Sequence, residues 1–222
     1  MSKKVLVTGS GGFVGPYLIR ELTQSNYEVF GVDRSPGSTY QADLLDINSL
    51  NKFLQETTPD YICHLAGFSS VKDSFDKPEL CRKINVEGTA NLLSAVQKYC
   101  PNPRVLIISS AHVYGEPEYV PIDELHPLNP NSPYAKSRVE QEKLVNDFDL
   151  DIIISRSFNH TGPGQQTGFV CPDFINEAKR LLSGEIESIK VGNLEAKRDI
   201  SDVRDVVNAY KLLLEKGESN SI

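Results

Sequence analysis

This sequence predicts an α/β fold built on a doubly wound parallel sheet, and three observations carry the prediction. Short apolar runs rich in β-branched residues alternate with longer segments of helical period through most of the chain. Those runs are nearly continuous in apolar character, as strands are when helices cover both faces of a sheet. The first of them, Val5-Leu6-Val7, leads into a glycine-rich turn, Thr8-Gly9-Ser10-Gly11-Gly12-Phe13-Val14-Gly15, that opens the first helical segment. Together they describe the Rossmann arrangement. At 222 residues the chain suits one large domain, or a domain with an appendage.

Taken in order, the first strand is expected at residues 4–8 and the helix after the glycine turn at 12–24. A strand at 28–33 ends in Asp33, and a short one at 41–42 precedes a helix at 47–56. Strand 60–65, helix 79–99, strand 104–109, helix 134–147 and strand 151–155 follow, and right-handed crossovers wind them into one sheet. Beyond Arg156 the texture changes. Residues 159–164 are turn-rich, 172–183 have helical spacing, 189–191 read as a short strand, and 202–215 as a last amphipathic helix. This tail is too small for an independent domain. The expected division is 1–156 for the sheet and 157–222 for a partial region packed on it, with the polar 217–222 frayed.

Composition excludes several classes. Hydrophobic residues make up 39% and the net charge is −7, with the basic residues scattered. Neither a nucleic acid nor an anionic membrane surface is an expected partner, and an anionic ligand needs a local site. The chain enters its first apolar run at Val5, and that run is too short for a signal peptide or a membrane span, which predicts a cytoplasmic protein. Cys63, Cys81, Cys100 and Cys171 have no metal-ligand spacing, and His64, His112, His126 and His160 are dispersed. No metal is expected, and the cysteines read as free thiols of a reducing compartment.

Glycines 9, 12 and 15 give the spacing GxxGxxG. Gly9 allows the tight turn, Gly12 lets the backbone approach a pyrophosphate, and Gly15 lets the helix lie close to the strand. The amides around Phe13 and Val14 then face the phosphates, although glycine turns of this kind also occur without a ligand. Asp33, eighteen residues beyond Gly15, is expected to hold an adenosine ribose through its 2′-hydroxyl. Arg34 beside it can accept a 2′-phosphate, so Asp33 favours NAD while Arg34 leaves NADP open.

Strand 104–109 runs into Ser109-Ser110-Ala111-His112-Val113-Tyr114-Gly115, and Ser132-Pro133-Tyr134-Ala135-Lys136-Ser137-Arg138 follows after a proline-rich loop. With Asp43-Leu44, His64-Leu65-Ala66, Asn85-Val86-Glu87-Gly88-Thr89 and Arg198-Asp199-Ile200-Ser201-Asp202-Val203, the sequence resembles the extended short-chain dehydrogenase/reductases. These are nucleotide-sugar epimerases, dehydratases and reductases, and the likeness runs from Lys4 to about Glu215. The resemblance implies NAD or NADP held by Gly9, Gly12, Phe13, Val14, Gly15, Asp33, Arg34, Asp43, Leu44, Leu65, Ala66, Gly67, Ser109, Tyr134 and Arg138, and a nucleotide-sugar substrate. It makes Ser110 the hydroxyl that bonds the reacting sugar oxygen and Tyr134 the acid/base. A free tyrosine has a pKa of ~10, so a nearby cation must stabilise its phenolate. The family uses a lysine four residues on, one helical turn away, and this chain has Arg138 there. Arginine keeps the charge and can fork onto ribose hydroxyls, but its pKa above ~12 prevents it from passing protons. Binding is therefore expected to survive better than turnover.

His112 stands where sugar-dehydrating members carry a glutamate, which favours a ketoreductase or an epimerase over a 4,6-dehydratase and leaves His112 as packing or a substrate contact. Residues 156–165 are similar to the same stretch of GDP-6-deoxy-4-keto-D-mannose reductases, which make GDP-D-rhamnose, and more loosely of GDP-mannose 4,6-dehydratases. By that likeness Asn159 and Arg198 reach the substrate diphosphate, a task that a bidentate guanidinium suits. The expected function is NAD(P)H-dependent 4-keto reduction. The alternatives are an epimerase or dehydratase on the same scaffold, and a dinucleotide-binding protein without useful catalysis because of Arg138 and the short C-terminus. Family members continue well beyond the helix at 202–215, so part of the substrate cover is expected to be missing from these residues. They commonly dimerise through helices corresponding to 79–99 and 134–147, which implies a homodimer.

Overall fold

The structure is a computed structural model and describes residues 2–222. Six strands, β1 (Lys4–Thr8), β2 (Glu28–Asp33), β3 (Tyr40–Gln41), β4 (Tyr61–His64), β5 (Arg104–Ile108) and β6 (Asp151–Ser155), form one parallel sheet in the order β3-β2-β1-β4-β5-β6. The chain leaves β1 toward one edge and returns at β4 toward the other. That reversal opens a crevice at the carboxyl ends of the central strands, where such sheets bind ligands.

Alternation along the strands divides the core. Val5 and Val7 join Cys63, Leu106 and Ile153 in a cluster under α1 (Gly15–Gln24) and α8 (Val203–Lys216). Leu6, Ile62, Val105, Ile107 and Ile152 face the opposite way, onto α2 (Ile47–Thr57) and α5 (Gly88–Tyr99). Because successive side chains of a strand alternate sides, a run of three or four apolar residues feeds both layers at once.

Several expectations are corrected. The first helix begins at Gly15 rather than Gly12, because Gly9 turns at φ +71° and the next residues complete the bend. The long helix expected at 79–99 is interrupted. It runs as α4 (Pro78–Arg82), five residues wound as a π-helix (Lys83–Glu87), and α5. The wide turn carries Asn85, whose amide is buried and bonds Phe68 both ways, N–H to Oδ1 at 2.7 Å and Nδ2 to the carbonyl at 3.2 Å. A short helix absent from the sequence reading, α3 (Val71–Asp76), is capped by Ser70 and buries only Ser74, too little to leave an apolar period.

Next comes α6 (Pro133–Leu144), followed by β7 (Asn159–Thr161) and α7 (Val170–Leu182). The strand expected at 189–191 does not form. β8 (Ile200–Asp202) forms instead, pairing in parallel with β7, whose edge lies where the chain enters α8. The segment 217–222 was expected to fray but is tied to β6. Ile154 N–H donates to the Ser221 carbonyl at 2.9 Å and Ile152 N–H to Asn220 Oδ1 at 3.3 Å. An edge strand needs acceptors for its outward amides, and the tail provides them.

A candidate dinucleotide and sugar cleft

A cleft of about 940 Å³ opens at the carboxyl end of the sheet. It is lined by Gly9, Gly12, Phe13, Val14, Gly15, Asp33, Arg34, Asp43, Leu44, Leu65, Ala66, Gly67, Ser109, Ser110, His112, Tyr134, Arg138 and Asn159. The fold thus brings together all but one of the residues picked out from the sequence. Arg198 stays apart: it is exposed, does not line the cleft, and donates to the Lys197 carbonyl at 2.7 Å.

Close approach explains the glycines. A Cβ on Gly9 would lie 2.7 Å from the Ala66 nitrogen, and one on Gly15 only 2.4 Å from the Ser10 carbonyl oxygen. Gly12 N–H closes the turn onto the Gly9 carbonyl at 3.0 Å. No side chain caps α1, so its first-turn amides stay open toward the cleft, an arrangement that suits an anion.

Asp33 is held in place by two amides, Gly11 N–H to Oδ2 at 3.1 Å and Ser35 N–H to Oδ1 at 2.8 Å. Burial pushes its carboxyl up, but the Ser35 and Gly11 hydrogen bonds outweigh that, Arg34 adds its charge, and the net effect is below the ordinary value. An oriented carboxylate beside open helix amides fits a dinucleotide, the one for ribose and the other for pyrophosphate.

The reactive groups come from β5 and α6. Ser110 follows β5 and caps a 3₁₀ turn (Ala111–Tyr114), its Oγ accepting from His112 N–H at 3.3 Å. Ser132 caps α6 through Ala135 N–H at 3.1 Å, and Tyr134 N–H donates to Ser74 Oγ at 3.2 Å. One turn further along, the Arg138 guanidinium carbon lies 5.2 Å from the Tyr134 ring centroid. The His112 ring meets the Tyr134 ring edge-on, centroids 6.0 Å apart. Burial lowers the His112 pKa and the Arg198 charge lowers it further.

Sequence reasoning missed the support beneath this group. Arg156 Nη2 pairs with Glu142 Oε2 at 2.8 Å, and Glu142 also accepts from Ser109 Oγ. Glu142 lies one turn beyond Arg138 on the same helix face, a spacing that could have marked it. Also missed were Ser70, Val71 and Lys72 on the cleft wall, where Ser70 three residues before Asp73 is a helix-start signal. Among the described residues there is no His/Cys/Asp/Glu cluster able to hold a metal, and no helix is long and apolar enough to cross a membrane. The four cysteines are unpaired thiols.

Known proteins share this architecture. The GDP-6-deoxy-D-mannose reductase of Pseudomonas aeruginosa is 34% identical, over all of this chain and 74% of the reductase. Human GDP-mannose 4,6 dehydratase is 30% identical over 96% of this chain, which spans 65% of the dehydratase. A solved structure described as RMD from Pseudomonas aeruginosa complexed with NADPH superposes with a TM-score of 0.88 at 33% identity, covering 99% of this chain and 76% of that one. The family model described as GDP-mannose 4,6 dehydratase matches residues 6–222, and with that match the chain belongs to this family of the extended short-chain dehydrogenase/reductases.

Proposed function

We propose that the protein is an NAD(P)H-dependent 4-ketoreductase of a nucleotide-6-deoxy-4-keto-hexose, taking GDP-6-deoxy-4-keto-D-mannose to GDP-D-rhamnose. The likeness to the Pseudomonas reductase supports this substrate class. The observation that carries the reaction type is that the side chain set edge-on to Tyr134 is the imidazole of His112 and not a carboxylate. An elimination of water calls for a second acid/base there, the place where the dehydrating relatives are expected to carry a glutamate, whereas a carbonyl reduction needs only one proton.

The chemistry that NAD(P)H would supply in this cleft is a hydride for the carbonyl carbon. Tyr134 gives its phenolic proton to the carbonyl oxygen, Ser110 orients that oxygen, and Arg138 stabilises the phenolate left behind. Asp33 holds the adenosine ribose, and the glycine turn with Phe13 and Val14 holds the pyrophosphate. Asn159 and Arg198 serve the substrate diphosphate, and since Arg198 is exposed on the approach to β8, it must turn inward to do so. On this reading residues 1–156 are the cofactor part and 157–222 the substrate part, the protein works in the cytoplasm, and α5 and α6 pair two copies as a homodimer that sedimentation would detect.

The test is oxidation of NADH and NADPH with GDP-6-deoxy-4-keto-D-mannose, followed by absorbance in the wild type and in Tyr134→Phe. Turnover that the variant loses supports the reading, and cofactor binding without turnover defeats it. A second reading, an epimerase that retains NAD, is favoured by the anchored Asp33 carboxylate, and conversion of a nucleotide sugar without added reductant would select it.

A further inference from the structure

We infer that Gln141 is the positioning residue that allows an arginine to serve at position 138, so that Arg138 and Gln141 act as a pair. The inference rests on the reading of Arg138 as the cation of the cofactor cleft. A lysine brings three donors on a flexible stem, whereas arginine brings five in a fixed plane, and a buried guanidinium must be oriented by acceptors. Arg138 is only 5% exposed and its Nε has no partner. Orientation therefore falls to Nη1, which donates to the Ile108 carbonyl at 3.1 Å and to Gln141 Oε1 at 2.8 Å.

Gln141 is itself fully buried, and its amide can sit only one way round. Its Nε2 donates to Thr89 Oγ1 at 2.7 Å, while the single Thr89 proton goes to the Asn85 carbonyl at 2.7 Å. Turned over, the amide would set its N–H groups against the guanidinium. Thr89 Oγ1 also meets His64 Nε2 at 3.0 Å, so that nitrogen carries the imidazole proton, and His64 Nδ1 accepts from Thr8 Oγ1 at 2.7 Å. Thr8 Oγ1 in turn accepts from Ala66 N–H at 3.2 Å. A continuous chain of bonds thus runs from the end of β1 to the guanidinium. On the other side Gly67 leaves the plane its room, since a Cβ there would come within 3.0 Å of Nη2. Nη2 is left on the cleft wall to meet a ribose hydroxyl.

The test compares Gln141→Met, of similar length but without an acceptor, in the wild-type and Arg138→Lys proteins. Thermal melts confirm folding, fluorescence titration gives NADH and NADPH dissociation constants, and steady-state kinetics separates the KM for the sugar from kcat. In the arginine protein the change is expected to weaken cofactor binding about tenfold, the effect of losing one hydrogen bond to a charged group, with the sugar KM unmoved. In the Arg138→Lys protein it is expected to cost less than about threefold, so that lysine rescues the loss. Equal losses in both proteins, or none in either, would overturn the pairing. If the methionine variant does not fold, Gln141→Glu keeps an acceptor for Arg138 and is expected to retain cofactor affinity, and its loss there overturns the pairing too. A wild type that binds neither cofactor would defeat the reading of the cleft itself, an outcome distinct from both.

Discussion

Arg156 and Glu142 face each other in the interior of the protein, with side chains 8% and 5% exposed. Arg156 Nη2 and Nε both reach Glu142 Oε2, at 2.8 and 3.1 Å. The pair joins three parts of the site. Glu142 belongs to α6, which carries Tyr134 and Arg138, and it accepts from Ser109 beside Ser110. Arg156 follows β6 and also donates to the Tyr114 hydroxyl at 3.2 Å and to the Glu124 carbonyl at 3.0 Å.

Removing one partner of such a pair leaves an uncompensated buried charge. Glu142→Ala is expected to destabilise the protein by about 3–5 kcal/mol in urea denaturation, with a smaller loss for Glu142→Gln, which keeps an acceptor. An alanine variant as stable as the wild type would mean that the pair is idle.

At Gly15 the constraint is steric. A methyl group there meets the Ser10 carbonyl oxygen at 2.4 Å and the Gly9 carbonyl oxygen at 2.7 Å, both backbone atoms that cannot rotate away. Gly15→Ala must push α1 off the turn, at a cost of about 1–3 kcal/mol and with it the alignment of the helix amides. NADH affinity by fluorescence titration is expected to fall by more than tenfold. Gly192→Ala, where a Cβ meets nothing, is the control and leaves affinity unchanged.

These two cases mark what the sequence could reveal. Gly9, Gly12 and Gly15 are legible because the turn is local: three glycines at two equal spacings within seven residues encode its sterics. Five of the six strands are legible because each carries a short apolar run, the two-residue β3 is the exception, and the bounds of all six shift by no more than one residue. Arg156 is not, because its partner Glu142 lies on another element, and Gln141 is fixed by Thr89 on α5 as well as by Arg138 on its own helix; no period records a hydrogen bond across the core. The strand expected at 189–191 fails for a related reason. Apolar residues are necessary for a strand, but an open edge must be within reach, and that of β7 is taken by Ile200–Asp202. Arg198 was read from a motif, and a motif does not say which way an exposed side chain turns.

Asp33 offers a test of cofactor choice. Its carboxylate repels a 2′-phosphate and accepts from a 2′-hydroxyl, while Arg34 beside it favours the phosphate. Asp33→Ser is expected to weaken NADH several-fold and to strengthen NADPH, as read from the two dissociation constants. The same carboxyl has a pH signature. Its folded pKa is depressed, so its contribution to stability is present above the ordinary value of ~3.9 and is lost as pH falls through the folded value. Asp33→Asn should lose that contribution and so narrow the stability gap to wild type in acid. An unchanged NADH-to-NADPH ratio in the serine variant would mean that Asp33 does not select the cofactor.

His64 gives the steepest expected response to acid. Burial, with the charge of Arg138 adding to it, lowers its pKa to about 3, and the ring is locked neutral between Thr8 and Thr89. In the unfolded chain a histidine titrates near ~6.5, so below that pH the unfolded state binds a proton that the folded state refuses. Stability therefore falls as pH drops from ~6.5 toward 3, by up to about 1.4 kcal/mol per unit from this one residue. Glutamine at this position can accept from Thr8 and donate to Thr89 without titrating. His64→Gln is thus expected to flatten the decline seen in urea denaturation at a series of pH values, and the difference between the two curves isolates His64 from His112, which is depressed in the same direction. Parallel curves would show that protonation of His64 is tolerated in the fold, and that the bonds from Thr8 through Thr89 to Gln141 can rearrange without loss.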